Sequence, residues 1–288
     1  MNSSVKVPVH IIADTTAVLD PAYIAAHNLE VIPQVIILEG QSYLEDVELP
    51  YDEFIRRLKV SSQLPKTAAP RPGDYVEAFR RHLAKADTLI CVVPSADVSG
   101  TLRSALTAKE QAFPSADIRV FDTRLIGAGL GSMVRASVAW AEAGMSGDDI
   151  MARLAEMAPR NRTYFLIRTL EYLQKGGRIG GASALLGSLL QIKPILQIKD
   201  GRVDVLEKVR VQHRAVERVI ELVAEQCPRS SESYLSIMHA DVADDAARLA
   251  EQLRTVTGIG DIPIYTVGSA ITTHGGPGVV GVSFFAAP

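Results

Sequence analysis

Short apolar runs alternate with amphipathic segments through the first half of the chain. Runs rich in β-branched residues predict buried strands at 7–13, 88–93 and 118–121, and 31–38 is a further strand candidate. The helical segments predicted between them are 22–27, 51–58, 102–113, 126–143 and 148–157. Asp20 and Pro21 give the first helix a start signal, as its N-cap and its first residue. This alternation predicts βαβ units and a mainly parallel sheet.

The pattern changes after about residue 160. A hairpin is predicted over 194–211, because Asp200-Gly201 joins two runs with strand character. The other predicted elements are strands at 164–167 and 234–238, helices at 214–226 and 244–254, and short apolar runs at 262–267, 270–272 and 279–285. We therefore predict a two-domain α/β protein: a mainly parallel α/β/α domain over 1–160 and a mixed-sheet α/β domain over 161–288. The segment of about 60–85 is a candidate for packing with the second domain.

Composition narrows the functional classes. The 288 residues are 47% hydrophobic and 22% charged, which suits a globular chain with a substantial core. A net charge of −3 argues against nucleic-acid binding by phosphate neutralisation. Cys91 and Cys227 lie in or beside apolar runs and predict buried free thiols in a reducing compartment. No stretch has the pattern of a signal peptide or of a membrane span, so we expect a cytoplasmic protein.

Two polar clusters follow predicted strands. Asp14-Thr15-Thr16 stands at the end of the first strand, where ligands gather in open α/β sheets, although a capping loop is the better explanation of this cluster taken alone. Ser99-Gly100-Thr101 leads from a strand into a helix. Its hydroxyls and the free N–H groups of the helix start predict an anion or carboxylate cradle, with simple capping as the alternative.

Two further clusters are rich in glycine. Arg178 lies between two glycine pairs, which predicts a sharply turning backbone that presents a guanidinium to a carboxylate or phosphate; a solvated loop is the alternative. The apolar segment 182–190 behind it could wall a hydrophobic cavity or belong to the core. His274 lies among glycines and Pro277, a setting that favours a site loop over a core position.

The sequence lacks the motifs of several common enzyme classes and metal sites. P-loop, HExxH and GxSxG motifs are absent. The glycines of 127–132 miss the dinucleotide fingerprint at Ser132, so close helix packing explains them better. His239 and Asp241 are only two potential ligands, and the histidines form no cluster with ligand spacing. We predict no metal site.

Taken in order, these clusters resemble the DegV family. The matching blocks are IIADTTAVLD, KTAAPRP, PSADVSGTLRSA, TLEYLQKGGRIG, LLQIKPIL, KDGRVDVLEKVR and THGGPGVVGVSF. The resemblance runs over essentially the whole chain. It implies a two-domain fold that holds a long-chain fatty acid between its domains, similar to the fatty acid-binding subunit of bacterial fatty acid kinase. Such a subunit performs no catalysis: it buries the acyl chain and presents the carboxylate to a separate ATP-dependent kinase, which makes an acyl phosphate.

The resemblance also implies roles for individual residues. The carboxylate would meet Thr67, His274 and the loop Ser99-Gly100-Thr101, while Arg178 and Arg210 would contact the phosphate or the kinase. Asp14 and Thr15 form a tentative site loop. Where the family usually has a Ser after the first Asp, this sequence has Thr15. The family's TSQP block is Thr67-Ala68-Ala69-Pro70 here and is followed by Arg71. These differences bear on which acyl chain the protein prefers and on whether a kinase is its partner.

The implied ligand is the fatty acid alone, with no cofactor. Transient contact with a membrane surface is compatible with this role, whereas integral membrane contact and nucleic acid are not expected. The stretches 126–133 and 183–196 are candidates for the tunnel wall. The runner-up function is a hydrolase of lipid or acyl esters with Ser99 as nucleophile and His274 as base. A DNA-binding regulator is a third alternative, disfavoured because no helix-turn-helix or basic face is evident.

Overall fold

The computed structural model describes residues 7–186 and 192–288. Its strands are β1 (Val7–Asp14), β2 (Glu30–Ile32), β3 (Val35–Leu38), β4 (Gln41–Leu44), β5 (Lys66–Ala68), β6 (Ala86–Val93), β7 (Ile118–Asp122), β8 (Asn161–Leu166), β9 (Lys193–Lys199), β10 (Arg202–Val209), β11 (Ser236–His239), β12 (Ile264–Thr266) and β13 (Val280–Phe285). Its α-helices are α1 (Pro21–Ala26), α2 (Tyr51–Val60), α3 (Pro72–Leu83), α4 (Thr101–Ala112), α5 (Ala128–Glu142), α6 (Gly147–Met157), α7 (Glu171–Lys175), α8 (Gln212–Gln226), α9 (Ala243–Thr257) and α10 (Ser269–Gly275). Short 3-10 helices lie at Thr15–Ala17, Ala158–Arg160, Gly180–Leu185 and Ser231–Ser233.

The first sheet has four parallel strands in the order β2-β1-β6-β7. Helices cover both of its faces. Ile11 and Ile90 are buried with residues of α5 and α6, whereas Ile12 and Cys91 are buried with residues of α3 and α4. Because successive strand residues point to opposite faces, burial on both sides explains the unbroken apolar runs of the sequence. The predicted parallel α/β/α arrangement is confirmed.

The second sheet has six strands in the order β10-β9-β8-β13-β11-β12. Only β11 and β12 pair in parallel among these strands, so the predicted mixed sheet is confirmed. Residues of α8 and α9 are buried on one face with Ile195 and Ile237. The next residue of each strand, Leu196 and Met238, faces the other side, where it joins residues from the first half of the chain such as Ala128. We call this group the central apolar cluster.

The hairpin of β9 and β10 turns at Asp200-Gly201, as predicted. Both turn residues have positive φ, 49° and 80°, which is the backbone of a two-residue type I′ turn. The turn also connects the two halves of the chain. Ser95 Oγ donates to the Gly201 carbonyl over 2.8 Å, and Arg202 donates to Asp97.

A third sheet, in the order β4-β3-β5, corrects the sequence prediction of one strand over 31–38. That segment forms β2 in the first sheet and β3 in the third, with a break at Pro33-Gln34. The break has a physical cause, because proline cannot donate to a sheet and the Gln34 N–H donates instead to Thr15 Oγ1. The third sheet and α2 pack on α10, with Ala270 in their shared core.

The segment 60–85 is divided between the two halves. Its β5 contacts α10, whereas α3 packs against β6 and α4 of the first half. The sheets themselves lie within 7–122 and 161–285. The domain boundary at 160 stays a prediction.

Helix α10 is a second correction, because the run 270–272 and His274 were expected in extended or loop structure. The helices α3 and α7 and the strands β4 and β5 were not predicted. The glycines of 127–132, by contrast, do serve close packing: a Cβ at Gly131 would overlap the Ala17 carbonyl, and one at Gly129 would lie 2.9 Å from the Asn161 amide nitrogen. Cys91 and Cys227 are buried free thiols, as predicted.

Candidate functional site

Thr67 and His274 meet where the third sheet packs on α10. Thr67 lies in the middle of β5, paired in register with Ile36 of β3. Its Oγ1 lies 2.8 Å from His274 Nε2, within hydrogen-bond distance. His274 occupies the last turn of α10, and Gly276, with a φ of 79°, ends that helix. Two of the residues that the family resemblance assigned to the carboxylate are therefore in direct contact.

The imidazole of His274 is held neutral. Burial and, to a smaller extent, the positive charge of Arg178 lower its pKa from the ordinary value of 6.5 to about 4. Its Nδ1 is buried and makes no hydrogen bond within the described part of the chain. Gly176 packs against this nitrogen so closely that a Cβ there would overlap it. At neutral pH the ring therefore carries one N–H donor and one acceptor nitrogen.

Arg178 connects two loops beside His274. Its Nε donates to the Val98 carbonyl over 3.0 Å, and one terminal nitrogen donates to the Gly176 carbonyl over 2.6 Å. The predicted sharp turns are present, since Gly177 and Gly180 have φ values of 71° and 50°. Arg178 thus brings the loop before Ser99 against the loop that packs on His274.

The loop Ser99-Gly100-Thr101 approaches the end of the chain segment that contains Thr67. Ser99 Oγ accepts from the Thr101 N–H over 3.3 Å and lies 2.9 Å from Thr101 Oγ1, and Gly100 is the N-cap of α4. A Cβ at Gly100 would lie 3.3 Å from the Cβ of Ala69, two residues beyond Thr67. Thr101 is fully buried and donates to Asp14, so its hydroxyl connects Ser99 with the protein interior.

The tentative site loop forms a hydrogen-bonded layer behind the site. Asp14 is fully buried and accepts from the Thr16 N–H and the Gln34 side chain over 2.9 and 2.6 Å. Burial raises the pKa of its carboxyl, while these hydrogen bonds act in the opposite direction. Thr15 donates to Glu45. Gln34 and Glu45 were missed from the sequence, because neither belongs to a motif and both reach the site only through tertiary contacts.

Arg210 lies in the short link between β10 and α8. It is exposed and follows β10 at the end opposite the Asp200-Gly201 turn, which contacts Ser95. The eight residues of β10 separate these ends by roughly 25 Å. Its role in kinase or phosphate contact stays a prediction.

The central apolar cluster begins next to the polar site. A Cβ at Gly275 would lie 2.9 Å from Val279, which is part of that cluster. From the proposed tunnel walls, Leu185, Leu196 and Ala128 belong to it. Leu130 and Met133 instead pack in the core of the first half. Residues 187–191 lie outside the described residues; all five belong to the predicted wall over 183–196, and the first four belong also to the segment 182–190.

Two features are absent from the described residues. Across 7–186 and 192–288, no helix combines enough length and apolar character to cross a bilayer. Over the same residues, no group of three or more His, Cys, Asp or Glu side chains is arranged to hold a metal ion.

Comparison with known proteins identifies the family. A family model described as "uncharacterised protein, DegV family" matches residues 8–287. A DegV domain-containing protein of Streptomyces coelicolor is 34% identical over 95% of this chain and 97% of its own. Two solved structures with 28% identity superpose with a TM-score of 0.88 over 97% of this chain and 99% or more of theirs. They are described as a DegV family protein of Thermus thermophilus with fatty acid binding and a fatty acid-binding DegV family protein of Streptococcus agalactiae. This chain belongs to the DegV family.

Proposed function

We propose that this protein is a non-catalytic carrier that binds a long-chain fatty acid, with the carboxylate at Thr67, Ser99 and His274. The single observation that carries the proposal is the 2.8 Å contact between Thr67 Oγ1 and His274 Nε2. In this contact one partner donates to the other. With the ring proton on Nε2, His274 donates to Thr67 Oγ1 and leaves the Thr67 hydroxyl free to donate to a ligand at the edge of the central apolar cluster. A ligand with an acidic head and an apolar tail suits this combination.

The electrostatics favour an anionic head group. A carboxylate removed from water is costly unless donors satisfy its oxygens. The Thr67 hydroxyl can donate to the carboxylate while its oxygen accepts from the neutral His274 ring. The Ser99 hydroxyl can donate to it by turning away from Thr101 Oγ1, and Arg178 supplies a nearby positive charge. Hydrogen bonds to a charged acceptor are the stronger kind, at about 1.5–3 kcal/mol each.

The tail would supply most of the affinity. Each buried CH₂ contributes about 0.8 kcal/mol, so a long acyl chain outweighs any single polar contact. The central apolar cluster lies beside the polar site and collects buried leucines and small residues from both halves of the chain. The Thermus thermophilus and Streptococcus agalactiae relatives, described as binding fatty acids, support the same ligand class.

We further propose that the carrier presents the carboxylate to an ATP-dependent fatty acid kinase in the cytoplasm, and that it needs no cofactor beyond the bound fatty acid. The family resemblance supports this step, as does Arg178 beside the head-group site. A direct test combines the loaded carrier, a candidate kinase and ATP, and traps the acyl phosphate with hydroxylamine as a hydroxamate. Formation that requires the carrier would support the proposal, and free fatty acid reacting equally well without it would contradict it.

The hydrolase alternative fits the geometry less well. The base of a Ser-His pair must accept a proton and is normally held by an acid. His274 Nε2 contacts Thr67, its buried Nδ1 lacks a partner among the described residues, and its pKa is lowered to about 4. Turnover of chromogenic esters that depends on Ser99 would reverse this preference.

Native mass spectrometry tests the binding proposal most directly. Protein expressed in bacteria should carry a mass that matches a long-chain fatty acid, and delipidated protein should take up palmitic acid. Ser99→Ala should weaken that uptake, whereas Ser115→Ala, an exposed serine in the turn before β7, is the matched control. A wild-type protein that neither retains nor takes up any fatty acid would exclude the carrier function.

A further inference from the structure

Glu45 is a fully buried carboxylate far from any recognised motif. It follows β4, and its Oε1 accepts from the Ala270 N–H over 2.7 Å, near the start of α10. Its Oε2 accepts from the Thr15 hydroxyl. The backbone of Gly268 approaches it so closely that a Cβ there would lie 2.5 Å from Oε1. Glu45 therefore joins the third sheet, the loop after β1 and the helix that carries His274.

A continuous series of hydrogen bonds connects Glu45 with the Ser99 loop. Each member bonds to the next through a side chain or backbone atom, and the four links from Ser99 to Thr15 are between 2.6 and 3.0 Å long. In order, the members are Ser99, Thr101, Asp14, Gln34, Thr15 and Glu45. The series therefore begins at one predicted head-group residue and ends at the helix that holds another.

Burial of the two carboxyl groups of Glu45 and Asp14 costs free energy of desolvation, which argues that they have a role beyond packing. Burial raises the pKa of Glu45 to about 7 and raises that of Asp14 as well. Two apolar residues of similar size would avoid that desolvation cost. The hydroxyl, amide and backbone donors around both carboxyls offset part of the cost, and they fix the relative positions of the elements that supply them.

We infer that Glu45 is a positioning residue for the head-group site, which sets the helix of His274 against the loop of Ser99 through Thr15, Gln34 and Asp14. The inference rests on the proposed function. Ala270 lies four residues before His274, one helical turn along α10. A bond that fixes the Ala270 N–H therefore fixes the height and rotation of His274 relative to Thr67.

Exchange of Glu45 for glutamine tests the direction of the bonds. The carboxylate accepts from both Ala270 and Thr15, whereas an amide has one acceptor oxygen and one donor nitrogen. In Glu45→Gln, the amide oxygen can still accept from Ala270. The amide nitrogen then faces the Thr15 hydroxyl, whose proton loses its acceptor while its oxygen already accepts from the Gln34 N–H. The side chain keeps its volume, which limits damage to packing.

The experiment compares two ligands that share a tail and differ in the head group, palmitic acid and 1-hexadecanol. A positioning role predicts that Glu45→Gln weakens palmitic acid binding about tenfold, the effect of one poorly placed hydrogen bond, and hexadecanol binding by less than about twofold. Thr15→Val should act in the same way, and Thr15→Ser should recover most of the lost affinity. Glu110→Gln, at an exposed site on α4, is the matched control.

The outcomes separate the two proposals. If wild-type protein binds neither ligand, the proposed function is wrong and the inference falls with it. If wild-type protein binds palmitic acid but Glu45→Gln and Thr15→Val bind it equally well, only the positioning role is wrong. Equal losses for both ligands would also overturn the positioning role, because they would show general damage to the tail site.

Discussion

Thr67 Oγ1 and His274 Nε2 lie 2.8 Å apart although 207 positions separate the two residues in the chain. Thr67 is placed by a three-stranded sheet near the start of the chain, and His274 by a short helix near its end. The contact exists because that sheet and helix share one apolar core. The head-group site therefore depends on the packing of the third sheet on the second half of the chain.

Removal of the Thr67 hydroxyl should weaken fatty acid binding. Thr67→Val keeps the shape of the side chain but removes a hydrogen bond to the carboxylate, worth about 1.5–3 kcal/mol, so we expect palmitic acid to bind about tenfold more weakly or worse. Titration calorimetry with delipidated protein measures the change. Thr255→Val, at an exposed position on α9, is the control and should bind like wild type. Unchanged affinity in Thr67→Val would exclude Thr67 from the head-group site.

A methyl group at Gly176 should displace His274. Gly176 has an ordinary helical φ of −76°, which alanine also adopts, but an added Cβ would overlap His274 Nδ1 and lie 2.9 Å from the Tyr172 carbonyl oxygen. We expect Gly176→Ala to destabilise the protein by about 1–3 kcal/mol and to weaken palmitic acid binding. Denaturant unfolding and calorimetry measure the two effects. Gly73→Ala has open space around the new methyl and serves as control; equal behaviour of both variants would refute the close contact.

The charge and the shape of Arg178 should have separable effects. Arg178→Gln removes the positive charge that lowers the pKa of His274, so that pKa should rise, although burial remains the larger cause. Arg178→Lys retains the charge but cannot reproduce both contacts, to Val98 and to Gly176. NMR titration of the His274 ring measures the pKa. We expect weaker palmitic acid binding in both variants and a raised pKa only in the glutamine variant; Arg103→Gln, exposed on α4, is the control.

Mild acid should destabilise the protein through His274. The pKa of its ring is about 4 in the folded protein and has the ordinary value of 6.5 in the unfolded chain, so between these values the unfolded chain binds the extra proton. The contribution of His274 to the free energy of unfolding must then fall as the pH is lowered through this window, by about 2 kcal/mol between pH 7 and pH 5. Glu45, whose pKa is raised to about 7 by burial, contributes in the opposite direction over the same window. The loss is therefore obtained from denaturant titrations that compare wild type with a variant lacking His274.

His274→Gln removes that proton-binding group and should flatten the pH dependence by this amount. His10, whose pKa is also lowered to about 4 by burial, contributes equally in wild type and variant and cancels in the comparison. His213→Gln, at an exposed position on α8, is the matched control for the exchange of a histidine for glutamine. An identical slope in His274→Gln would show that His274 titrates normally in the folded protein.

The sequence by itself determined most of the local structure. The buried runs of β1, β6 and β7, the amphipathic helices between them and the Asp200-Gly201 turn depend on burial and on backbone preferences of neighbouring residues. The sequence failed where tertiary contacts overrode this local information. The run 31–38 is apolar almost throughout, yet Pro33 and the bonds of Gln34 to the loop after β1 divide it between two sheets.

The candidate site shows the same division. Its loops were predicted from glycines and hydroxyl residues, because such residues set backbone geometry and capping wherever the chain places them. Only the tertiary structure decided that Thr67 contacts His274 and that Thr101 is buried next to Ser99. It also decided that Arg210 lies at the far end of its hairpin and that Glu45 joins the series of hydrogen bonds that leads to Ser99. The physical reason is that a side-chain hydrogen bond has a reach of about 3 Å. Whether two distant residues come within that reach depends on how sheets and helices pack, which no short stretch of sequence records.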